Sequence, residues 1–169
     1  MARRARLTHE RLHELLHYDP DSGEFRWRER ASYVVNVGDV AGSVNKTSGY
    51  RLIHIDGRNY KAHQLAWFYV TGTWARPMID HRDLDRSNNR LSNLRRATAS
   101  MNAANRRRPR TNTSGFKGVH RRRTGGRWRA QIWKDGRAHY LGLFATAQAA
   151  HAAYAAAARR LFGEFARTE

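Results

Sequence analysis

The sequence predicts an α+β protein built from two small modules. Three observations lead there. Strand-like and helix-like segments alternate along the chain; an arginine-rich polar stretch broken by Pro109 interrupts them; and beyond it short strand patterns end in one alanine-rich helix. With 169 residues there is room for one ordinary domain or two small ones. A hydrophobic content of 40% with 11% aromatics supports a folded core rather than a disordered chain.

Each element has its own signal. Thr8 can cap a first short helix, Leu7 and Leu12 flank the cap with hydrophobic-staple spacing, and Leu12, Leu15 and Leu16 form an apolar stripe. His9, His13 and His17 repeat every four residues there and are expected on a solvated helix face. The turn YDPDSGEFRW leads into a strand over Phe25 to Arg28. In YRLIHIDGRNYKAH, Asp56-Gly57 separates two strand-like arms, a hairpin signal. Leu65, Trp67, Phe68 and Val70 have helical spacing, with Gly72 as the stop and His63 as a core or capping histidine that could alternatively be functional. A strand over Met78 to Arg82, a loop, a short strand over Leu94 to Ala97 and a helix from Thr98 or Ser100 to about Arg107 follow. RRRPRTNTS, residues 106–114, has the composition of a basic linker. The last module reads as three short strands with turns at Gly125-Gly126 and Asp135-Gly136. A helix capped by Thr146 and stopped at Gly163 completes it, with Trp128 and Phe144 as core.

Composition narrows the chemistry. There is no cysteine, so disulfides and thiolate metal sites are excluded together. MARRARLTHERL lacks an apolar stretch of the secretory kind, and no apolar run approaches the ~18 residues of a membrane span. A soluble protein with no membrane partner is expected. Thirty-two Lys and Arg against fourteen Asp and Glu give a net charge of +18. From Arg86 to Lys134 no carboxylate occurs among 49 residues that include fifteen Lys or Arg. Basic residues concentrated in this way, and interleaved with aromatics, point to nucleic acid rather than to a membrane or an acidic protein.

One stretch carries more than charge. IDHRDLDRSNNRLSNLRRATASMNAANRRR places an Asp-His pair beside Asn88, Asn89, Asn93, Asn102 and Asn105. Asn is a poor filler of helices and strands, because its amide competes with the backbone for hydrogen bonds, so five of them imply a loop or a site. Asn88 and Asn89 read as turn residues, and Asn105 as a helix-surface residue near a DNA backbone. Asp80-His81, the NNRLSNLR segment and the spaced N-x-x-N resemble the HNH nuclease motif in its phage and intron-encoded homing-endonuclease branch. The likeness extends over roughly residues 7–107. It implies a ββα-metal fold, with its core at about 78–107 in a domain over 1–105. It also implies His81 as general base, Asn93 as the residue that holds the loop and orients His81, and Asp80 and Asn102 as ligands of one divalent cation. Two protein oxygens completed by water and phosphate suit Mg, with Mn possible, and no zinc is expected. His81, with an ordinary pKa near 6.5, can take a proton from water, while its neighbour on a strand points to the opposite face and is available to the metal.

The module at 115–169 carries KGV, WRAQI, YLGLF and TAQAAHAAYAAAA. These segments resemble the APETALA-type, or ethylene-response-factor, DNA-binding domain, which implies a three-stranded antiparallel sheet packed on one helix, its sheet entering the major groove. By position the resemblance assigns DNA contacts to Lys117, His120, Arg122, Gln131, Trp133 and Tyr140. Arg106, Arg107, Arg108 and Arg110 of the linker are expected on phosphate. Together these readings imply a DNA endonuclease acting on double-stranded DNA in the cytoplasm of a bacterial or phage-infected cell. The alternatives are a non-cleaving sequence-specific DNA-binding regulator and an RNA-binding structural protein.

Overall fold

The computed structural model describes residues 6–169. The chain divides into two compact units, Met1–Arg96 and Ala97–Glu169.

In the first unit, helix α1 spans His9–Leu15 and is capped as expected: the Thr8 hydroxyl accepts from the Arg11 amide at 3.1 Å. Such a cap contributes about 1 kcal/mol. Strands β1 (Leu16–Tyr18) and β2 (Phe25–Trp27) pair antiparallel, with Leu16 opposite Trp27. β1 was not readable as a strand, because Leu16 also continues the apolar stripe of α1. A second sheet takes β3 (Ser43–Val44), β4 (Arg51–Ile55) and β5 (Arg58–Lys61) in chain order. Its hairpin turns at Asp56 and Gly57, both at positive φ (48° and 78°), the backbone of a type I′ turn. Helix α2, Ala62–Thr71, follows β5 directly and stops at Gly72, whose φ of 67° is left-handed. Leu12, Leu16, Phe25, Ile53 and Leu65 are all fully buried in one core. β6 (Met78–His81) and β7 (Leu94–Ala97) form a separate two-stranded sheet.

The histidine repeat of α1 is corrected by the structure. His9 and His13 are half-buried against α2: their Nε2 atoms lie 2.8 and 3.1 Å from the Tyr69 carbonyl, and His13 stacks on the Tyr69 ring at 3.7 Å. His17 is not helical at all, since the chain turns into β1. The spacing marked a helix-packing face, not a wet one.

The second unit opens with α3, Ala99–Asn105, capped by Thr98, whose hydroxyl accepts from the Met101 amide at 3.2 Å. Strands β8 (Val119–Arg121), β9 (Trp128–Lys134) and β10 (Arg137–Phe144) form an antiparallel sheet in the order β10-β9-β8. Asp135 and Gly136, both at positive φ, make the β9–β10 turn. Helix α4, Ala147–Phe162, is capped by Thr146 and packs on the sheet over Val119, Ala130 and Ala150. Trp128 and Phe144 are half-buried at the edge of this core. The division at Arg96 lies ahead of the expected linker, and the reason is visible in hydrogen bonds. The Lys117 ammonium donates to the carbonyls of Ala104, Arg106 and Arg167, and Arg167 Nε donates to the Asn105 carbonyl at 3.1 Å. These bonds tie the C-terminal end of α3, and the basic segment after it, to the second unit.

Gly23 connects the β1–β2 turn to the loop between β6 and β7. It adopts a φ of 77°, and a β-carbon there would run into the backbone of Asn89 and Arg90. Gly23→Ala should therefore destabilise the protein by about 2–4 kcal/mol, through overpacking and left-handed strain together. Urea unfolding followed by fluorescence measures this, and an unchanged midpoint would show that the close approach is not maintained in solution.

Candidate active site

Two strands and the loop between them carry the Asp-His-Asn constellation. Asp80 and His81 end β6, and both are buried. From the partner strand, Arg95 donates from Nε and Nη2 to Asp80 Oδ2, at 3.0 and 2.9 Å. Asp80 is 4% exposed and Arg95 6%, so this ion pair is held away from water. Nothing in the spacing of the sequence identified Arg95 as the partner of Asp80; the pairing appears only once β6 and β7 lie side by side.

The loop from Arg82 to Asn93 is knotted on Asp83. Asp83 Oδ1 accepts from the Asp85 amide (2.8 Å) and from Asn93 Nδ2 (2.9 Å), and Oδ2 accepts from Asn88 Nδ2 (2.6 Å). Asn93 is buried at the centre of the knot: its Oδ1 accepts from the Asp83 amide, and its Nδ2 also donates to the Asn88 carbonyl. Its own carbonyl accepts from Arg82, one residue beyond His81. Asn89 is not a simple turn residue. It is fully buried, its carbonyl accepts from the Tyr18 hydroxyl at 2.7 Å, and its Nδ2 donates to the Ser87 carbonyl at 2.9 Å.

His81 sits in a triangle of rings. Its centroid is 4.9 Å from that of His63, edge to face, and 6.0 Å from that of Tyr50, while Tyr50 and His63 are 5.0 Å apart. Lys61 Nζ and Arg86 Cζ stand over the Tyr50 ring at 4.5 and 5.0 Å, close enough for cation–π attraction. Burial pulls the His81 pKa below its ordinary value; the neighbouring Asn89 amide and the charges of Asp83, Asp80 and Asp85 act in the opposite direction. Burial, with His81 and Lys61 adding repulsion, takes His63 down to about 3. His63 is therefore neutral at physiological pH. The arrangement offers a neutral imidazole as proton acceptor, flanked by two cations suited to an anionic substrate.

The donor set fits a hard cation better than zinc. Asp80 supplies a carboxylate, cysteine is absent, and among the described residues no group of three His, Cys, Asp or Glu converges. An ion held by so few protein groups must complete its shell with water and substrate oxygen. Asn102, the other expected ligand, is half-buried on α3 of the second unit. Asn105 is buried, not a surface residue as expected, with its carbonyl accepting from Arg167.

The second unit presents a sheet face of a different kind. His120 lies opposite Arg129, Gln131 opposite Tyr140, and Trp133 opposite Ala138, so these side chains share the face that α4 leaves uncovered. Trp133 is 61% exposed, Tyr140 is exposed as well, and Arg129 stands over the Tyr140 ring at 5.6 Å. Arg129 was missed in the sequence, where its alternation with Gln131 and Trp133 was the available signal. Arg122 is exposed just past β8. Lys117 is corrected: its ammonium is turned inward onto three carbonyls, and burial beside Arg167 and Arg106 lowers its pKa to about 8. Arg106 is exposed, and Arg107, Arg108 and Arg110, with Pro109, Arg167 and Glu169, line a cleft of about 590 Å³.

Removing Arg95 should leave Asp80 as a buried, uncompensated charge. Arg95→Met is expected to cost about 3–5 kcal/mol, and the double variant Asp80→Leu with Arg95→Met to recover most of that loss. Urea denaturation of Arg95→Met, Asp80→Leu and the double variant gives the answer; losses that simply add in the double variant would show that the pair does not interact.

Residues 60–104 match the family model HNH_3, described as HNH endonuclease. The match runs from the end of β5 through α2, β6, the Asp83 loop and β7 into α3. No solved structure matches the chain significantly. No helix among the described residues is long and apolar enough to cross a membrane. The family match over residues 60–104 supports an HNH nuclease, a hydrolase acting on DNA.

Proposed function

We propose that this protein is a metal-dependent DNA endonuclease of the HNH homing type, in which a sheet module of the ethylene-response-factor kind places the nuclease on duplex DNA. The observation that carries the reading is His81: a buried imidazole with a lowered pKa, beside a carboxylate and flanked by cations, within the segment that matches the nuclease family. His81 takes the proton of the attacking water. Asn93, through the Asp83 knot, fixes the loop that follows His81 and so the direction of its ring. Lys61 and Arg86 receive the phosphate. The resemblance assigns Asp80 and Asn102 as ligands of one divalent cation of the Mg type, which Mn could replace; of the two, Asp80 lies in the unit that holds His81. Such an ion would supply charge stabilisation at the scissile phosphate and at the leaving 3′-oxygen.

In the targeting module, His120, Arg122, Arg129, Gln131, Trp133 and Tyr140 face the duplex, and Arg106, Arg107, Arg108 and Arg110 meet phosphates. The family resemblance and the outward arrangement of these side chains support this part.

One observation favours a second reading, a regulator that binds without cutting: Arg95 already neutralises Asp80. Conversion of supercoiled plasmid separates the two. With Mg the wild-type protein should yield nicked or linear product. EDTA should abolish it, and His81→Ala should lower the rate by about 10²–10⁴-fold while leaving duplex binding intact. Tight binding without cleavage on host and phage DNA would favour the regulator; full cleavage by His81→Ala would remove His81 as the base.

Arg129→Ala should weaken duplex binding and reduce the slope of log affinity against log salt by about 1 if its contact is to phosphate. Fluorescence anisotropy across a salt series measures both, and an unchanged affinity would take Arg129 out of the interface.

A further inference from the structure

His63 is not accounted for by the role of a core residue. It lies on the first turn of α2, is 5% exposed, and among the described residues its Nδ1 is buried with no hydrogen-bond partner. A polar nitrogen in that condition carries a desolvation cost that a phenyl ring of the same shape would not. Buried nitrogens of this kind are ordinarily satisfied by an ordered water. The ring belongs to the His81 centre: it stands edge to face with His81 at 79° and 4.9 Å, and Tyr50 closes the triangle.

We infer that His63 is a positioning residue for His81: its ring fixes the plane of the base, and its Nδ1 holds an ordered water of the same centre. The inference rests on the nuclease reading above and deepens it. His63 stays neutral because of its burial and the neighbouring His81 and Lys61, so it places no second positive charge against the base. β5 runs straight into α2, and this direct junction brings Lys61, the last residue of β5, and His63, the second of α2, to the centre together. Rigid elements rather than the loop therefore set one side of the His81 ring.

The test is steady-state cleavage of supercoiled plasmid with Mg by the full chain and by His63→Phe, His63→Gln and His63→Ala. His63→Phe keeps the ring and removes the nitrogens; it should lower kcat by about 10–100-fold, as expected for a misplaced base, with KM and duplex affinity unchanged. His63→Gln restores a polar atom and should recover part of kcat, whereas His63→Ala should lose both functions and fall furthest. A kcat for His63→Phe equal to wild type would overturn the inference, leaving His63 as core packing. Circular dichroism and melting establish that each variant is folded. Should His63→Phe not fold, ¹⁵N spectra of the wild-type imidazoles decide: the His63 Nδ1 signal should report a hydrogen bond, and the signal of a nitrogen without one overturns the inference. If the wild-type protein cuts no DNA, the nuclease reading fails and takes this inference with it; cleavage retained in full by His63→Phe overturns this inference alone.

Discussion

The knot of amides on the Asp83 carboxylate is the constraint from which the candidate site follows. A loop between two short strands has little apolar surface to bury, so its conformational entropy must be offset by hydrogen bonds. Asp83 gathers three such bonds from Asp85, Asn88 and Asn93, and Asn93 returns one to the Asp83 amide. Asn93 donates twice from Nδ2 and accepts at Oδ1, which an ionised aspartate, having no donor, and a serine, having a single proton, cannot do. The concentration of asparagines is thereby explained in parts. Asn88 and Asn93 hold the loop, Asn89 is buried where Tyr18 and the Ser87 carbonyl bond it, and Asn105 is buried in the second unit.

Charge is arranged in opposition around this loop. The chain is strongly basic, yet Asp80, Asp83 and Asp85 fall within six residues, immediately before a segment that contains no carboxylate at all. The carboxylates are tied down by Arg95 and by loop amides, and their field works against the desolvation that lowers the pKa of His81. Lys61 and Arg86 then stand on the opposite side of the balance, on the face of Tyr50. Such a division is what the proposed base and an anionic substrate would require: carboxylates near an imidazole oppose the effect of its burial, and cations attract phosphate.

Much of the architecture was legible in local signals. Thr8, Thr98 and Thr146 each cap the helix they precede, Asp56-Gly57 and Asp135-Gly136 each turn a hairpin, and Gly72 stops α2. These are short-range effects, and a single chain displays them. What was not legible depends on register and packing between distant segments. Arg95 finds Asp80 only through β6–β7 pairing, Asn89 is buried because Tyr18 and Gly23 close over it, and Lys117 turns inward because the end of α3 lies beneath it. The histidines of α1 had the right period for the wrong reason. A four-residue repeat marks a face, but whether that face meets water or another helix is decided elsewhere in the chain.

The uncovered sheet face of the second unit has an optical consequence. The protein has five tryptophans, and among the described residues Trp133 is the one that stands in solvent. Trp27 is buried, and Trp67, Trp74 and Trp128 are half-buried. Long-wavelength indole emission, and its loss to small collisional quenchers, will therefore come mainly from β9. The molecule carries its own dye at the place where it is expected to meet DNA, so occupancy of that face can be followed in real time on unlabelled protein.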